Sequence, residues 1–229
     1  MKLRARLLAL KPTTVSRAFV RLLDEVRIHR WHRRALRSAR HLATVSGLKL
    51  HLGCGPNHMQ GWINIDLYYP DSDLQLDARQ PFPFRDNSAT QVYSEHFFEH
   101  LSYPEEALHV LRESLRVLAP GGLFTVGVPD GEREVITYLR GDEEFVREVW
   151  ERWHPKWCNT SMHHLNAGFR QGGEHQYTYD FETLDRILSE TGFVGIQRRP
   201  WNPATDLESR KLSTLYVDAR KPHPGPVPH

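Results

Sequence analysis

The sequence predicts an α/β domain with a largely parallel sheet, preceded by a basic helical arm. Three observations lead there. Short apolar runs alternate with helix-length segments between Leu48 and Arg220. A glycine turn, Gly53-Cys54-Gly55, follows the first of those runs directly. Charge is divided unevenly: residues 1–40 hold 12 Lys/Arg against 2 Asp/Glu, so the rest of a chain of net charge +2 is acidic.

Composition narrows the class. With 229 residues, 39% hydrophobic and 25% charged, the chain has the apolar content to pack a core, which excludes global disorder. No stretch approaches the ~18 consecutive apolar residues of a membrane span. Two cysteines, Cys54 and Cys158, cannot build a disulfide framework and suit a reducing compartment. Residues 1–10 are positively charged but lack an unbroken apolar run, so we expect no secretory signal and a cytoplasmic location.

The arm spans 1–46. Phe19, Leu22, Leu23 and Val26 recur at i, i+3, i+4, i+7, one face of a helix that Thr14 or Ser16 caps. Arg27, Arg30, Arg33, Arg34, Arg37 and Arg40 load its later turns. Three readings stand: peripheral contact with an anionic surface, a solvated helix packing its stripe on the domain, and a mitochondrial presequence, against which Asp24 and Glu25 count. Nucleic acid is the weaker anionic partner, because the domain itself is acidic.

The domain spans 47–220. Leu48–Leu52, Trp62–Ile65, Leu74–Leu76 and Gln91–Tyr93 read as strands. Pro104 opens a helix with Leu108, Leu111, Leu115 and Leu118 on its apolar face, stopped at Pro120-Gly121-Gly122. Leu123–Val128 is a further strand. Residues 130–178, rich in His, Trp and charge, read as an insertion on the substrate side with a helix near Glu143–Trp153. Phe181–Thr191 is a helix closed by Gly192, and Ile196–Arg198 and Leu215–Arg220 are closing strands. Residues 221–229 hold four prolines and read as a disordered tail.

The glycine turn carries the first chemical signal. Glycines directly after a strand permit a tight turn and close approach of backbone to a ligand. The dinucleotide fingerprint fails because His58 occupies its third glycine position, and no Gly-Lys-Ser/Thr follows to make a phosphate loop. Asp66 ends the second strand, where an acid accepts from ribose hydroxyls, and Asp77 ends the third, where it and Ala78 face an adenine edge.

These residues resemble a family. Leu48 to Asp130, with "LHLGCGPN", "NIDL", "LDARQPFPFRDNSATQVYSEHFFEHL" and "LRESLRVLAPGGLFTVGVPD", is similar to the class I S-adenosylmethionine (SAM)-dependent methyltransferases, of the Methyltransferase type 11 kind. Within them it resembles a short-loop bacterial subgroup associated with surface-polysaccharide gene sets, as "HQYTYDFETLDRILSETGF" also does. The resemblance implies a Rossmann-like, doubly wound, seven-stranded sheet ending in an antiparallel hairpin, with SAM as cofactor. It implies that Gly53, Cys54 and Gly55 lie against the methionyl part, with Ser94 and Glu95 lining its end. Asp66 would hold the ribose, and Leu67, Asp77 and Ala78 the adenine. Departures are His51 in the place of an acid, Asn57 in that of the third glycine, and only ten residues between Gly55 and Asp66. A full crossover helix needs ~20, so that helix shrinks to about a turn.

Histidines supply the remaining candidates. Residues 96–100, His-Phe-Phe-Glu-His, match the inverted zinc-peptidase pattern H-x-x-E-H, which needs both His on one helical face. Here the motif follows a strand, and the insertion's His154, Cys158, His163, His164 and His175 lack regular ligand spacing, so we expect no metal. We take His96, with His164 or His175, as bases for a hydroxyl nucleophile. Trp150, Trp153, Trp157, Tyr177 and Tyr179 either stack on a sugar or pack the insertion. The expected activity is methyl transfer from SAM to a glycan or small-molecule oxygen, with Asp66→Ala weakening SAM binding and leaving folding nearly unchanged. The alternative is a non-catalytic, methyltransferase-like module docked through its arm to a membrane surface or partner.

Overall fold

A computed structural model describes residues 14–225. Six strands form one sheet: β1 (Leu48–Leu52), β2 (Ile63–Ile65), β3 (Ala89–Glu95), β4 (Leu118–Pro129), β5 (Val194–Arg199) and β6 (Thr214–Arg220). Their order is β2-β1-β3-β4-β6-β5; β2, β1, β3 and β4 are mutually parallel, and β6 runs antiparallel to both its neighbours. Helices α1 (Thr14–Ser38), α2 (Glu105–Val117), α3 (Gly131–Arg140), α4 (Ser161–Arg170) and α5 (Phe181–Thr191) accompany it. This is the expected Rossmann-like architecture with its closing antiparallel pair.

The central strands are apolar because both faces are covered. Leu50, Leu52, Val92, Phe124, Val126 and Val217 are all buried in the main core. Helix α2 buries Ala107, Val110, Leu111, Ser114 and Val117, while Leu108 and Leu115 are only half-buried, a face rotated from the expected stripe. Glu105 and Glu106 lie in its first turn and Arg116 in its last, matching the helix dipole. Strand β4 begins at Leu118 with no intervening loop, and Pro120-Gly121-Gly122 forms an irregularity in it: the register with β3 jumps from Leu118 to Leu123.

Six strands stand where seven were expected. The Leu74–Leu76 segment is reduced to one bridge, Ile65 to Leu74. The reason is local: the Leu76 amide donates to the Leu74 carbonyl at 2.9 Å, a tight turn that takes the chain out of the ladder. The first crossover also loses its helix entirely. Residues 53–62 are turns held by Asn64, whose Oδ1 accepts from the Met59 amide at 2.8 Å and whose Nδ2 donates to the Met59 carbonyl and to Asp73.

The arm is one long helix, but the face it packs differs from the expected stripe. Ile28 and Ala35 are buried, as is Ala39 just beyond the helix, whereas Phe19, Leu22 and Val26 are exposed. The expected caps Thr14 and Ser16 and residues 1–13 lie outside the described side chains. Of the tail, residues 221–225 are described and have no regular structure; 226–229 lie outside. No helix among the described residues is long and apolar enough to cross a membrane.

The insertion has its own small core. Phe145, Val149 and Trp150 are buried together on helical residues 143–153, which contain a π turn at Val146–Trp150. Asp130 caps α3 and Thr160 caps α4. The insertion's exit is pinned to the sheet: the amides of Gln176 and Tyr177 both donate to the Glu99 carbonyl, at 2.7 and 3.3 Å.

Candidate active site

The glycine turn leaves β1 in left-handed backbone, with φ +66° at Gly53 and +49° at Gly55. The two glycines differ in what they face. A Cβ on Gly53 would stand 2.6 Å from the Phe97 side chain, so that space is filled. In front of Gly55 the space is open. Between them Cys54 is buried, and burial pushes its thiol up to about 12, which keeps it protonated.

Asp66 closes this turn. Its Oδ2 accepts from the Gly55 amide at 3.0 Å, and its Oδ1 accepts from the amides of Tyr68 and Tyr69 at 2.7 and 2.9 Å. A carboxylate oxygen takes two donors, so Oδ2 keeps one position for a ligand hydroxyl. Asp77 is buried and grips Arg79: Oδ1 accepts from Nε at 2.8 Å and Oδ2 from Nη2 at 3.1 Å. Leu67 is half-buried beside Asp66, and Ala78 is buried beside Asp77.

At the end of β3, Ser94 is fully buried and its Oγ has no hydrogen-bond partner. Glu95 is held instead by the closing strand and its loop. Tyr216 donates to Oε1 at 2.5 Å and Arg210 stands 3.5 Å from Oε2, while burial raises the carboxyl above the usual range. His96 takes φ +54°, which turns its ring so that Nε2 meets Thr214 Oγ1 at 2.7 Å. Burial lowers its basicity well below that of a free imidazole. His51, on β1, is buried edge-on to Tyr93, and burial lowers it to about 4.

A cavity of about 1350 Å3 lies between the strand ends, the insertion and the 207–213 loop. It meets the glycine turn at Asn57. Two of the three candidate bases, His96 and His175, stand in its wall. His164 does not: its ring lies flat on Trp150 at 5.0 Å between centroids, with Nδ1 3.2 Å from His154 Nδ1. The aromatic residues divide as well. Trp150 and Tyr179 are core, Tyr177 stacks on Tyr103 at 4.6 Å, and Trp153 and Trp157 are exposed on the cavity wall.

Sequence reasoning missed two groups. The loop residues Asp206 and Arg210, which tie the cavity floor to β3, carry no local motif. Glu99, His100 and His175 bring one ligand-type atom each to within 4.8 Å of one another. The signal for the pair Glu99-His100 was present in H-x-x-E-H, but its partner lies 75 residues on. The peptidase geometry is absent: Phe98–His100 is a single 3-10 turn rather than a helix, and His96 Nε2 is engaged by Thr214.

The match to known families falls on this region. A family model described as "Methyltransferase domain" covers residues 50–126. The matched residues, about a third of the chain, are similar to that domain. The matched span runs from β1 through the glycine turn, Asp66, Asp77 and Ser94 into β4. No curated protein matches the chain. Among solved structures, a SAM-dependent methyltransferase from Archaeoglobus fulgidus is 15% identical, with 85% of this chain and 94% of that chain aligned at a TM-score of 0.47. Phosphoethanolamine N-methyltransferase 2 of Haemonchus contortus, solved with S-adenosyl-L-methionine, is 13% identical at a TM-score of 0.47. That alignment covers 83% of this chain but only 53% of the Haemonchus protein.

Proposed function

We propose that the chain is a SAM-dependent methyltransferase acting on an oxygen of a small or glycan-linked acceptor. The observation that carries the cofactor is the Asp66 lock on Gly55: it fixes an open, left-handed turn and leaves a carboxylate position free for a ribose hydroxyl. Gly53, Cys54 and Gly55 would hold the methionyl part with Ser94 and Glu95 at its end, Asp66 the ribose, and Leu67, Asp77 and Ala78 the adenine.

When bound, SAM supplies a methyl group activated on a sulfonium. The chain's residues then align an acceptor and receive its proton. His96, in the cavity wall at the end of β3, is placed to take that proton, and His175 shares the wall. We assign His164 a packing role on Trp150. Two exposed indoles, Trp153 and Trp157, with Asn166, Arg170 and Gln176 around them, suit a polyhydroxylated acceptor.

Calorimetry with SAM and S-adenosylhomocysteine on the wild type and Asp66→Ala tests the cofactor. Micromolar binding that the variant loses is expected, and justifies an acceptor screen beginning with glycans. A folded wild type that binds neither compound overturns the reading.

A second reading concerns the arm. Phe19, Leu22 and Val26 lie exposed on the helix that carries Arg27 and Arg30, which favours peripheral contact with an anionic bilayer. Because Ala35 and Ala39 belong to the core, deleting the arm would damage the fold. Changing Phe19, Leu22 and Val26 together to Ser is the cleaner test: it should abolish co-sedimentation with anionic liposomes and leave SAM affinity unchanged.

A further inference from the structure

We propose that Glu99, His100 and His175 form a binding site for one divalent ion of the zinc class, clasping the insertion to the end of β3. The inference is independent of the methyltransferase reading.

The carboxylate makes the first argument. Glu99 is 2% exposed, and neither of its side-chain oxygens has a hydrogen-bond partner. Among the described residues it pairs with no Lys or Arg; only His96 Nδ1 at 3.6 Å and His100 Nε2 at 4.0 Å approach it. A buried carboxyl in that state must either hold its proton, as burial favours here, or give it up to a cation that meets it.

The imidazoles make the second. His100 Nδ1 lies 3.1 Å from the Glu174 carbonyl oxygen, and His175 Nδ1 lies 2.8 Å from that of Gly168. A carbonyl only accepts, so both Nδ1 atoms are donors, which in each neutral ring leaves Nε2 with its lone pair. Metal-binding histidines are prepared in this way: the outer nitrogen donates to a carbonyl, which fixes the tautomer and aims the inner lone pair. The two rings meet edge to face at 5.1 Å, and one donor atom from each of the three residues lies within 4.8 Å of the others.

Two neutral imidazoles and one carboxylate form a ligand set that binds zinc with a fourth position left for water or substrate. Ligands 2.0–2.1 Å from a tetrahedral ion stand about 3.4 Å apart. The 4.0 Å between His100 Nε2 and Glu99 Oε1, and separations of up to 4.8 Å within the trio, must therefore contract as the ion binds. His175 lines the large cavity, so the ion would stand in its wall. The glutamate here is a ligand, unlike its general-base role in the H-x-x-E-H peptidases.

The full chain, stripped with a chelator, is titrated with Zn2+ and with Co2+. One equivalent should bind at micromolar concentration, raise the melting temperature and give the visible absorption of four-coordinate Co2+. His100→Ala and His175→Ala should each weaken Zn2+ at least ~100-fold, the upper end of what losing an outer partner costs. His164→Ala should leave it unchanged. His100 is exposed, so its variant is expected to fold even if His175→Ala does not. A folded, stripped wild type that takes up no Zn2+ at micromolar concentration overturns the proposal. So does Zn2+ binding that survives His100→Ala.

Discussion

Glu134 sets a pH dependence that can be worked out from the structure. It lies on α3, 6% exposed, facing the insertion's core. Its Oε2 accepts from Trp150 Nε1 at 2.7 Å, and α4 passes so close that a Cβ on Gly168 would stand 2.8 Å from Oε1. Burial pushes the carboxyl up to about 7 from an ordinary 4.5, against the hydrogen bond from Trp150. In the unfolded chain it titrates near the ordinary value. Between the two, the folded state binds more protons, so its contribution to stability is full below pH 4.5 and is lost as pH rises through 7. A gap of roughly 2.5 pH units, at ~1.4 kcal/mol each, makes the cost of ionisation about 3 kcal/mol. Glu134→Gln keeps an oxygen for Trp150 and cannot ionise. Urea unfolding of both proteins from pH 4 to 8 isolates the residue, because every other group titrates in both. The variant should match the wild type near pH 4 and exceed it by about 3 kcal/mol at pH 8. A constant difference across that range would refute the assignment.

His51 works in the opposite sense. Its folded value is lowered to about 4, so stability falls as pH drops from 6.5, by about 2 kcal/mol at pH 5, and His51→Asn should flatten that limb in thermal melts. Gly53→Ala adds a methyl group against Phe97 at a positive φ and should cost about 2–4 kcal/mol in urea unfolding, whereas Gly55→Ala, facing open space, should cost about 1 kcal/mol. Arg79→Ala leaves the buried Asp77 carboxylate unpaired; with Arg79 partly exposed the loss should be about 2 kcal/mol by chemical denaturation.

Much of the sheet was legible because its signals are local. Leu48–Leu52 and Phe181–Thr191 emerge with the bounds read from their runs, and Gly192 closes the helix as expected. Leu74–Leu76 misled because three apolar-patterned residues cannot reveal that a tight turn ends their pairing. The arm misled in a related way. Phe19, Leu22, Leu23 and Val26 have helical spacing, but the contact is made by Ile28 and small residues further on, Ala35 and Ala39, which periodicity underweights. The candidate site was legible where one segment supplies it, as at Gly53–Gly55 and Asp66. Where a site joins Glu99 to His175 or Glu95 to Tyr216, only the fold supplies the proximity.

Asp66 shows why a residue read for its ligand also has to be read for its neighbours. On spacing alone it serves a ribose, and its removal should spare the fold. In the structure its carboxylate accepts from three backbone amides, those of Gly55, Tyr68 and Tyr69. With the crossover helix gone, that carboxylate and Asn64 help to hold the 53–62 turn in place, together with the Cys54 amide on the Ile65 carbonyl. Asp66→Ala leaves three amides without their acceptor, and where water reaches them only in part the cost is ~1–3 kcal/mol. Loss of SAM binding in Asp66→Ala alone would then conflate a missing ribose contact with a loosened turn. Asn64→Ala separates them, because it loosens the same turn from the other side and leaves the Asp66 carboxylate intact. If the carboxylate contacts the ligand, Asp66→Ala should lose more SAM affinity than Asn64→Ala at equal loss of stability. Equal losses of affinity would mean that Asp66 acts only by shaping the turn.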